Sequence, residues 1–445
     1  MASSALPLSG LRVFIRTFGC QMNENDSERL AGLLAAAGAV PVEEETAAEV
    51  VVVNTCAVRA KSEEKLHSYL GRLQSRRRDR SLLVGVAGCV AELRKERLFG
   101  PRGTVDFIVG PDQYPRIVEI LAESRSRRVL AVGRRRAWRE GGQSLALRGN
   151  PASAYVTIME GCDNFCAYCV VPFARGREKY RPLRSILEEI EGLAGRGFKE
   201  VQLLGQNVAT YRDPESGEDF PSLLRRAVAI EGIAWIRFLT SHPKNFTPAL
   251  VAAMASSPKI CRQLHLPLQA GSDAVLARMK RGYGREDYLA LVRGLRSLMP
   301  EIALSTDIIV GFPGETEAEF RETLSALEDV RFANIFSFRY SPRPLTAASR
   351  LADDVPAEVK RRRLLEVQSL QKEIQTELNA AFVGKTIRVL CTGRSRKDER
   401  VFAGRDEGYR IVNFRTESDS LGLFVDVAVA SAGPYSLRGD LRQIL

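Results

Sequence analysis

Short apolar runs alternate with helical segments along most of this 445-residue chain, and that alternation constrains the fold more than any other feature. In residues 1–127 the strand-like runs are 12–18 (RVFIRTF), 49–55 (EVVVVNT), 81–88 (SLLVGVAG) and 105–110 (VDFIVG). An amphipathic helix is expected over 26–39, capped by Asp26 or Ser27, and a charged helix over 59–75. Strands joined through helices run parallel, so this part is expected to be an α/β, doubly wound parallel-sheet domain. After a linker near 138–150 the pattern resumes, with strands expected at 153–160, 200–206, 235–241, 261–269, 302–312 and 334–341. Six such units over 148–380 predict a central partial (βα)6 barrel with its functional loops at the carboxyl ends of the strands. A charged helix over 356–380 leads into 383–445, where short Gly-punctuated strands predict a small C-terminal β-barrel. Such barrels bind nucleic acid on one face or serve as a structural cap.

The formal charge is +11, from 65 Lys and Arg against 54 Asp and Glu. Clusters at 76–80, 127–136 and 360–363 favour a polyanionic partner, although solvated helix faces have the same composition. The N-terminus has no basic start followed by an apolar run, and no apolar stretch reaches membrane length, so a cytoplasmic protein with no membrane contact is expected. Eight cysteines without an export signal read as thiols for a metal or for catalysis. Histidine is scarce (His67, His242, His265), so a metal site here would be all-thiolate.

Six of the cysteines fall into two sets of three. Cys20, Cys56 and Cys89 each follow a predicted parallel strand, at the edge where open α/β sheets bind ligands. One such cysteine is an ordinary buried apolar residue; three in the same structural position point to shared metal ligation. Cys162, Cys166 and Cys169 form a C-x3-C-x2-C array in 160–177 (EGCDNFCAYCVVPFARGR), with no fourth cysteine nearby. That spacing suits a cubane iron–sulfur cluster, and three ligands leave one iron open, as a catalytic zinc keeps an open position. An open iron that accepts an amino and a carboxylate group seats S-adenosyl-L-methionine, whose reductive cleavage yields a carbon-centred radical.

The loop resembles the signature of the radical S-adenosylmethionine enzymes. Together with NTCAVRAKSEEK (54–65), LLGQNV (203–208), LHLPLQAGSD (264–273) and DIIVGFPGET (307–316), it resembles the methylthiotransferases of that superfamily, from about residue 11 to the end. TFGCQMNENDSERL (17–30) and FRYSPRPLT (338–346) look most like the branch acting on isopentenyladenosine in tRNA. The resemblance implies two 4Fe–4S clusters, one on Cys162, Cys166 and Cys169 and a second, sulfur-carrying one on Cys20, Cys56 and Cys89. It implies that N6-isopentenyladenosine at position 37 of tRNA becomes its 2-methylthio derivative, that S-adenosylmethionine is used twice, and that the C-terminal barrel is a TRAM domain contacting the anticodon stem-loop. A small reducing protein as electron donor, a sulfur donor and a monomeric enzyme complete the expectation.

Tyr168 is expected near the cluster or the cofactor. Gln206, Asn207, Gln269, Gly311 and Glu315 end predicted strands and are expected among the cofactor contacts; no catalytic side chain is assigned. His242 is either a positioned acid–base or a hydrogen-bonded structural residue. Arg175 and Arg177 are candidates for phosphate contact, and Cys261 and Cys391 are expected to be spectators. Ala270 and Gly284 depart from the family pattern, where Ser and Thr are usual, without touching a ligand. Threonylcarbamoyl-adenosine in tRNA or a ribosomal-protein aspartate are the alternative substrates. An iron–sulfur redox sensor or a zinc-binding RNA module are the alternatives from other classes.

Overall fold

Val50, Val51, Val52 and Val53 are all fully buried, as an unbroken β-branched run must be when helices cover both faces of its sheet. They lie in a computed structural model that describes residues 6–77, 82–101, 103–239, 241–395, 398 and 400–445. Two compact units emerge. The first is the chain to Gly149 with Met159–Asp163 and Cys169–Arg181; the second is Asn150–Ile158, Asn164–Tyr168 and Pro182–Leu445.

The first unit holds strands β1 (Arg12–Phe18), β2 (Val40–Pro41), β3 (Val50–Thr55), β4 (Leu83–Ala87), β5 (Phe107–Val109) and β6 (Val129–Ala131). All are parallel, in the order β2-β1-β3-β4-β5-β6. The chain leaves β1 toward one side and returns on the other at β3, so the switch point of this doubly wound sheet lies between them. Two strands escaped the sequence patterns, because β2 and β6 are only two and three residues long. The sheet therefore continues past residue 127. Arg78, Asp79 and Arg80 of the basic cluster, and Ser81, fall outside the described residues.

The first helix corrects an expectation. It runs Gln21–Ala36, with Cys20 as its N-cap, rather than starting near Asp26. The Asn23 side chain reaches back to the Cys20 backbone N–H and makes the polar stretch 21–25 helical. Asp26 is consequently inside the helix and fully buried, and Ser27 bonds Thr17 at 2.7 Å.

The second unit carries β7 (Ser153–Thr157) in its first segment. The expected strand over 153–160 breaks at Ile158: β8 (Met159–Glu160) belongs to the first unit, where it pairs antiparallel with β9 (Lys179–Tyr180). Strands β10 (Glu200–Leu204), β11 (Trp235–Phe238), β12 (Gln263–His265), β13 (Ala303–Val310) and β14 (Asn334–Arg339) follow, with helices between them. They form two parallel three-stranded sheets, β7-β10-β11 and β12-β13-β14, joined by a bridge from Ile236 to Ile260. Six strands in sequential order make the open barrel that the alternation predicted.

Strands β15 (Thr386–Arg394), β16 (Val401–Asp406), β17 (Ile411–Arg415), β18 (Phe424–Ala432) and β19 (Leu437–Ile444) close into a five-stranded barrel. Its β16–β17 turn reaches the amino ends of β10 to β12. Arg237, with a fully buried side chain, donates from Nε to Glu200 at 2.6 Å and from its other two nitrogens to the Glu407 and Asp406 carbonyls at 2.6 and 2.7 Å. Its guanidinium lies 4.9 and 5.0 Å from the Trp235 and Tyr409 rings. The Glu407 carboxylate accepts from the Arg262 backbone N–H, and Phe424 meets Trp235 edge-on. Cys261 is packed against these rings and Cys391 inside the small barrel, so both are core residues. Among the described residues no helix is long and apolar enough to cross a membrane.

Replacing Arg237 with Met leaves the Glu200 carboxylate buried without its cation, which typically costs about 3–5 kcal/mol. A lower thermal midpoint and faster proteolysis within 406–410 are expected for Arg237→Met. Unchanged values for both would refute this account of the turn.

Candidate functional site

Adjacency in the parallel sheet brings the first three cysteines together. Cys20 follows β1, Cys56 follows β3 and Cys89 follows β4, and these strands are neighbours in the order β1-β3-β4. The Cys56 N–H donates to the Phe18 carbonyl at 2.9 Å, continuing the ladder to the cysteines themselves. Gly88 adopts a positive φ of 93°, and a Cβ there would collide with Asn54 and the Thr55 backbone. Only glycine lets the β4 end approach the β3 end so closely.

The three thiols are electrostatically linked. A hydrogen bond from Cys56 lowers the Cys20 thiol to about 6, against the opposing effect of burial. The same bond and burial push Cys56 well up, and burial raises Cys89. One thiolate is thus favoured among the three in the protein alone. The other two sulfurs accept N–H bonds: Cys56 Sγ from Val58 N at 3.3 Å and Cys89 Sγ from Arg175 Nε at 3.2 Å. Sulfurs at one edge, supplied with N–H donors, are the donor set that an iron–sulfur cluster takes. Among the described residues no group of three or more His, Cys, Asp and Glu is arranged to hold a single metal ion.

Arg175 is not a phosphate contact, which corrects the sequence expectation. Its side chain is 2% exposed and also holds Asp26, itself fully buried. Burial raises the Asp26 carboxyl despite Arg175 and Arg29 beside it. Glu160 behaves oppositely: burial pushes it up, but Lys179, Arg29 and Arg175 together bring it below the usual range. Arg177 is exposed and pairs with Asp163 at 2.6 Å.

The C-x3-C-x2-C segment is shared between the units. In the first, the β8–β9 pair folds the ends of the loop together, and the Cys162 N–H donates to the Gly176 carbonyl at 3.2 Å. Cys169 lies in the same unit, ahead of a short helix, Val171–Arg175. In the second, Cys166 Sγ accepts from Arg281 Nη1 at 3.3 Å and stands 3.8 Å from His242 Nε2. The same Arg281 nitrogen donates to the Tyr168 hydroxyl, also at 3.3 Å. Lys244 N–H donates to His242 Nδ1, which places the ring proton on Nε2, toward the sulfur. Burial first, then Arg281 and Lys244, push His242 down to about 2, so it is a neutral donor.

The remaining expected residues divide. Asn207 is fully committed: its Oδ1 accepts from His242 N and its Nδ2 donates to Asn245, so it builds the loop that aims His242. Gln206 is half-buried beyond β10. Gln269 is buried at a positive φ of 79°, and its Oε1 has no partner among the described residues. An orphaned buried acceptor four residues beyond β12, on backbone that bonds to β13, suits an amino or hydroxyl donor of a small-molecule cofactor. Gly311 (φ 69°) donates to Glu315 Oε2 at 2.6 Å, and Arg363 donates to that oxygen at 2.8 Å. Glu315, its carboxyl raised by burial, thereby ties the 311–315 turn to the helix Ala357–Ala380.

Sequence reasoning passed over Arg281 and a polar line on β12 and β13. His265 Nδ1 lies 3.0 Å from Ser305 Oγ and its Nε2 lies 3.3 Å from Asp307. Ser305 and Asp307 alternate with buried Leu304, Thr306 and Ile308, a period of two that was there to find. Arg281 carries no such signal; only its contacts identify it.

Three family models match the chain: an uncharacterized protein family, UPF0004, over 12–110, the radical SAM superfamily over 156–327, and the TRAM domain over 380–441. The tRNA-2-methylthio-N(6)-dimethylallyladenosine synthase of Geobacter metallireducens is 46% identical over 96% of this chain and 98% of its own length. The protein of the same name from Thermotoga petrophila is 44% identical over 95% and 96%. Among solved structures, the radical S-adenosylmethionine methyltransferase TsrM from Kitasatospora setae, with cobalamin and a 4Fe–4S cluster bound, superimposes with a TM-score of 0.55. The two are 16% identical over 76% of this chain and 74% of that one. The cobalamin-dependent S-adenosylmethionine radical enzyme OxsB gives 0.52, at 12% identity over 82% and 56%. Both likenesses concern the fold.

Arg175→Met removes the nearer of the two cations beside buried Asp26 and leaves Arg29 at 3.6 Å, so a loss of up to about 3 kcal/mol is expected in urea unfolding of the metal-free chain. Adding Asp26→Asn should restore part of it; a double variant no more stable than the single would count against the pairing.

Proposed function

The chain belongs to the tRNA-2-methylthio-N(6)-dimethylallyladenosine synthase family, and we propose that it converts N6-isopentenyladenosine at position 37 of tRNA to its 2-methylthio derivative. The observation that carries this reading is the set of three thiols, Cys20, Cys56 and Cys89, at the carboxyl edge of one parallel sheet, in a chain that also has the C-x3-C-x2-C loop. A radical enzyme that only abstracts hydrogen has use for the loop alone. A second incomplete thiol set is what the insertion of sulfur calls for.

Cys162, Cys166 and Cys169 would hold the cluster that binds S-adenosylmethionine, and Cys20, Cys56 and Cys89 a second one. When bound, these groups supply one-electron cleavage of the sulfonium and the sulfur to be transferred. The work of the chain's own residues is to hold, orient and shield. Arg175 and the Val58 N–H fix the Cys89 and Cys56 sulfurs and offset thiolate charge. Arg281 and neutral His242 do the same for Cys166, and Arg281 also positions Tyr168. Gln269 Oε1 waits for a donor of the cofactor, and the Glu315–Arg363 pair keeps the 311–315 turn in shape.

The RNA is the larger partner. Loop bases are accessible to such an active site without unpairing, which suits an adenosine beside the anticodon. The C-terminal barrel, with Arg388, Arg394, Arg400 and Arg415 exposed, is the expected RNA contact. The reading includes a small reducing protein as electron donor, an external sulfur donor, and a monomer acting in the cytoplasm.

The test is nucleoside mass spectrometry after anaerobic reconstitution with iron and sulfide, using S-adenosylmethionine, a reductant and an anticodon stem-loop bearing isopentenyladenosine. An adenosine heavier by one methylthio group is expected. Cys166→Ala should abolish both this product and 5′-deoxyadenosine, whereas Cys56→Ala should abolish the product and retain cofactor cleavage. Cleavage by the unaltered protein without any modified nucleoside would exclude this substrate and send the search to threonylcarbamoyl-adenosine RNA.

A further inference from the structure

The basic run 134–139 (RRRAWR) and the turn after it supply no thiol; their links to the thiol-bearing elements are Arg134, which donates to the Pro172 carbonyl at 2.8 Å, and the Gly141 carbonyl, which accepts from Arg29. Within the first unit this segment, the first helix, the 111–115 turn and the β8–β9 pair line a narrow cleft that opens to solvent. Its cations are of two kinds. Arg29 lies 3.6 Å from Asp26 and 3.4 Å from Glu160, and Lys179 lies 2.5 Å from Asp112 and 3.5 Å from Glu160, so both are neutralised by the protein. Arg135 and Arg139 are not. Among the described residues neither guanidinium has an ion-pair or hydrogen-bond partner. The Arg135 backbone is nevertheless held, its N–H donating to Asp112 at 2.8 Å.

The cleft also contains an unspent donor. Gln143 lines it and is 3% exposed. Its Oε1 accepts the Gly141 N–H at 2.6 Å, which fixes the amide orientation and leaves Nε2 buried with no acceptor among the described residues. Buried donors are normally paired, so an acceptor from outside the chain is called for. Trp138 shares the wall, its Nε1–H donating to Glu140 at 3.3 Å. Two uncommitted guanidinium groups and a fixed amide N–H ask for an oxyanion, and an aromatic ring beside them suits a nucleobase.

We infer that this cleft binds a backbone phosphate of the RNA substrate. Arg135 and Arg139 take its charge, Gln143 Nε2 donates to one of its oxygens, and Trp138 offers its ring to the adjoining base. The inference rests on the tRNA reading above and adds a contact on the N-terminal unit to the one expected on the small barrel.

The test measures binding of a fluorescent anticodon stem-loop to the full chain across a range of salt, for the unaltered protein and for Arg135→Gln/Arg139→Gln. The double variant should bind about tenfold more weakly, with a salt slope shallower by roughly 0.7–0.9, the value for one phosphate left without its cations. The weakening should be the same for isopentenylated and plain RNA, since a phosphate contact carries no base information. Gln143→Glu keeps the acceptor for Gly141 and puts a carboxylate where the phosphate would lie. It should weaken binding too, and it decides the matter if the double variant is misfolded by circular dichroism. Cofactor cleavage without RNA should be unchanged in both. If the unaltered chain does not bind the stem-loop, the tRNA reading falls along with the cleft. If it binds, and folded variants keep its affinity and slope, only the cleft is overturned.

Discussion

One buried guanidinium organises the N-terminal unit. Arg175 stands six residues beyond the last cysteine of the C-x3-C-x2-C array, yet it bonds the sulfur of Cys89 and the carboxylate of Asp26. Asp26 belongs to the helix that Cys20 caps, and Arg29 of that helix pairs with Glu160, which opens the radical-enzyme loop. A charge buried at this depth is tolerated only when opposite charges and hydrogen bonds surround it. Helix, loop and sheet edge must therefore all be in place for any one of them to be comfortable. The ionic cluster specifies an arrangement, whatever its net contribution to stability.

The same logic recurs at Cys166, where Arg281 and His242 supply N–H groups to a sulfur. Each thiol set has one member served by a buried arginine. Hydrogen bonds to sulfur and nearby positive charge favour thiolate, and they are among the ways a protein adjusts an iron–sulfur group. This chain builds both sets on the same plan although the surrounding folds differ.

Much of this was legible from residue order, for identifiable reasons. The alternation of strand and helix implied parallel sheets, and parallel sheets implied that Cys20, Cys56 and Cys89 share an edge. Burial on both faces made β3 visible as a run of valines. What escaped was short or nonlocal. The strands β2 and β6 have too few residues to show a period, and the start of the first helix depended on Asn23 reaching back to Cys20. Arg175 read as a surface cation because nothing in FARGR announces that its partners lie some 90 and 150 residues earlier. Asn207 sat where cofactor contacts belong and uses both side-chain atoms on the 242–245 loop, while Glu315 engages one oxygen with Gly311 and Arg363.

The turn between β16 and β17 gives the C-terminal barrel a second role. Its Asp406 and Glu407 carbonyls close the hydrogen-bonding shell of Arg237, and Tyr409 covers one face of that side chain. In isolation, the (βα)6 core would present a desolvated ion pair and the flank of Trp235 to water. The small barrel is thus a stopper as well as the proposed RNA contact. A chain cut after residue 380 loses more than affinity for a substrate, because dissection there opens the floor of the catalytic domain itself.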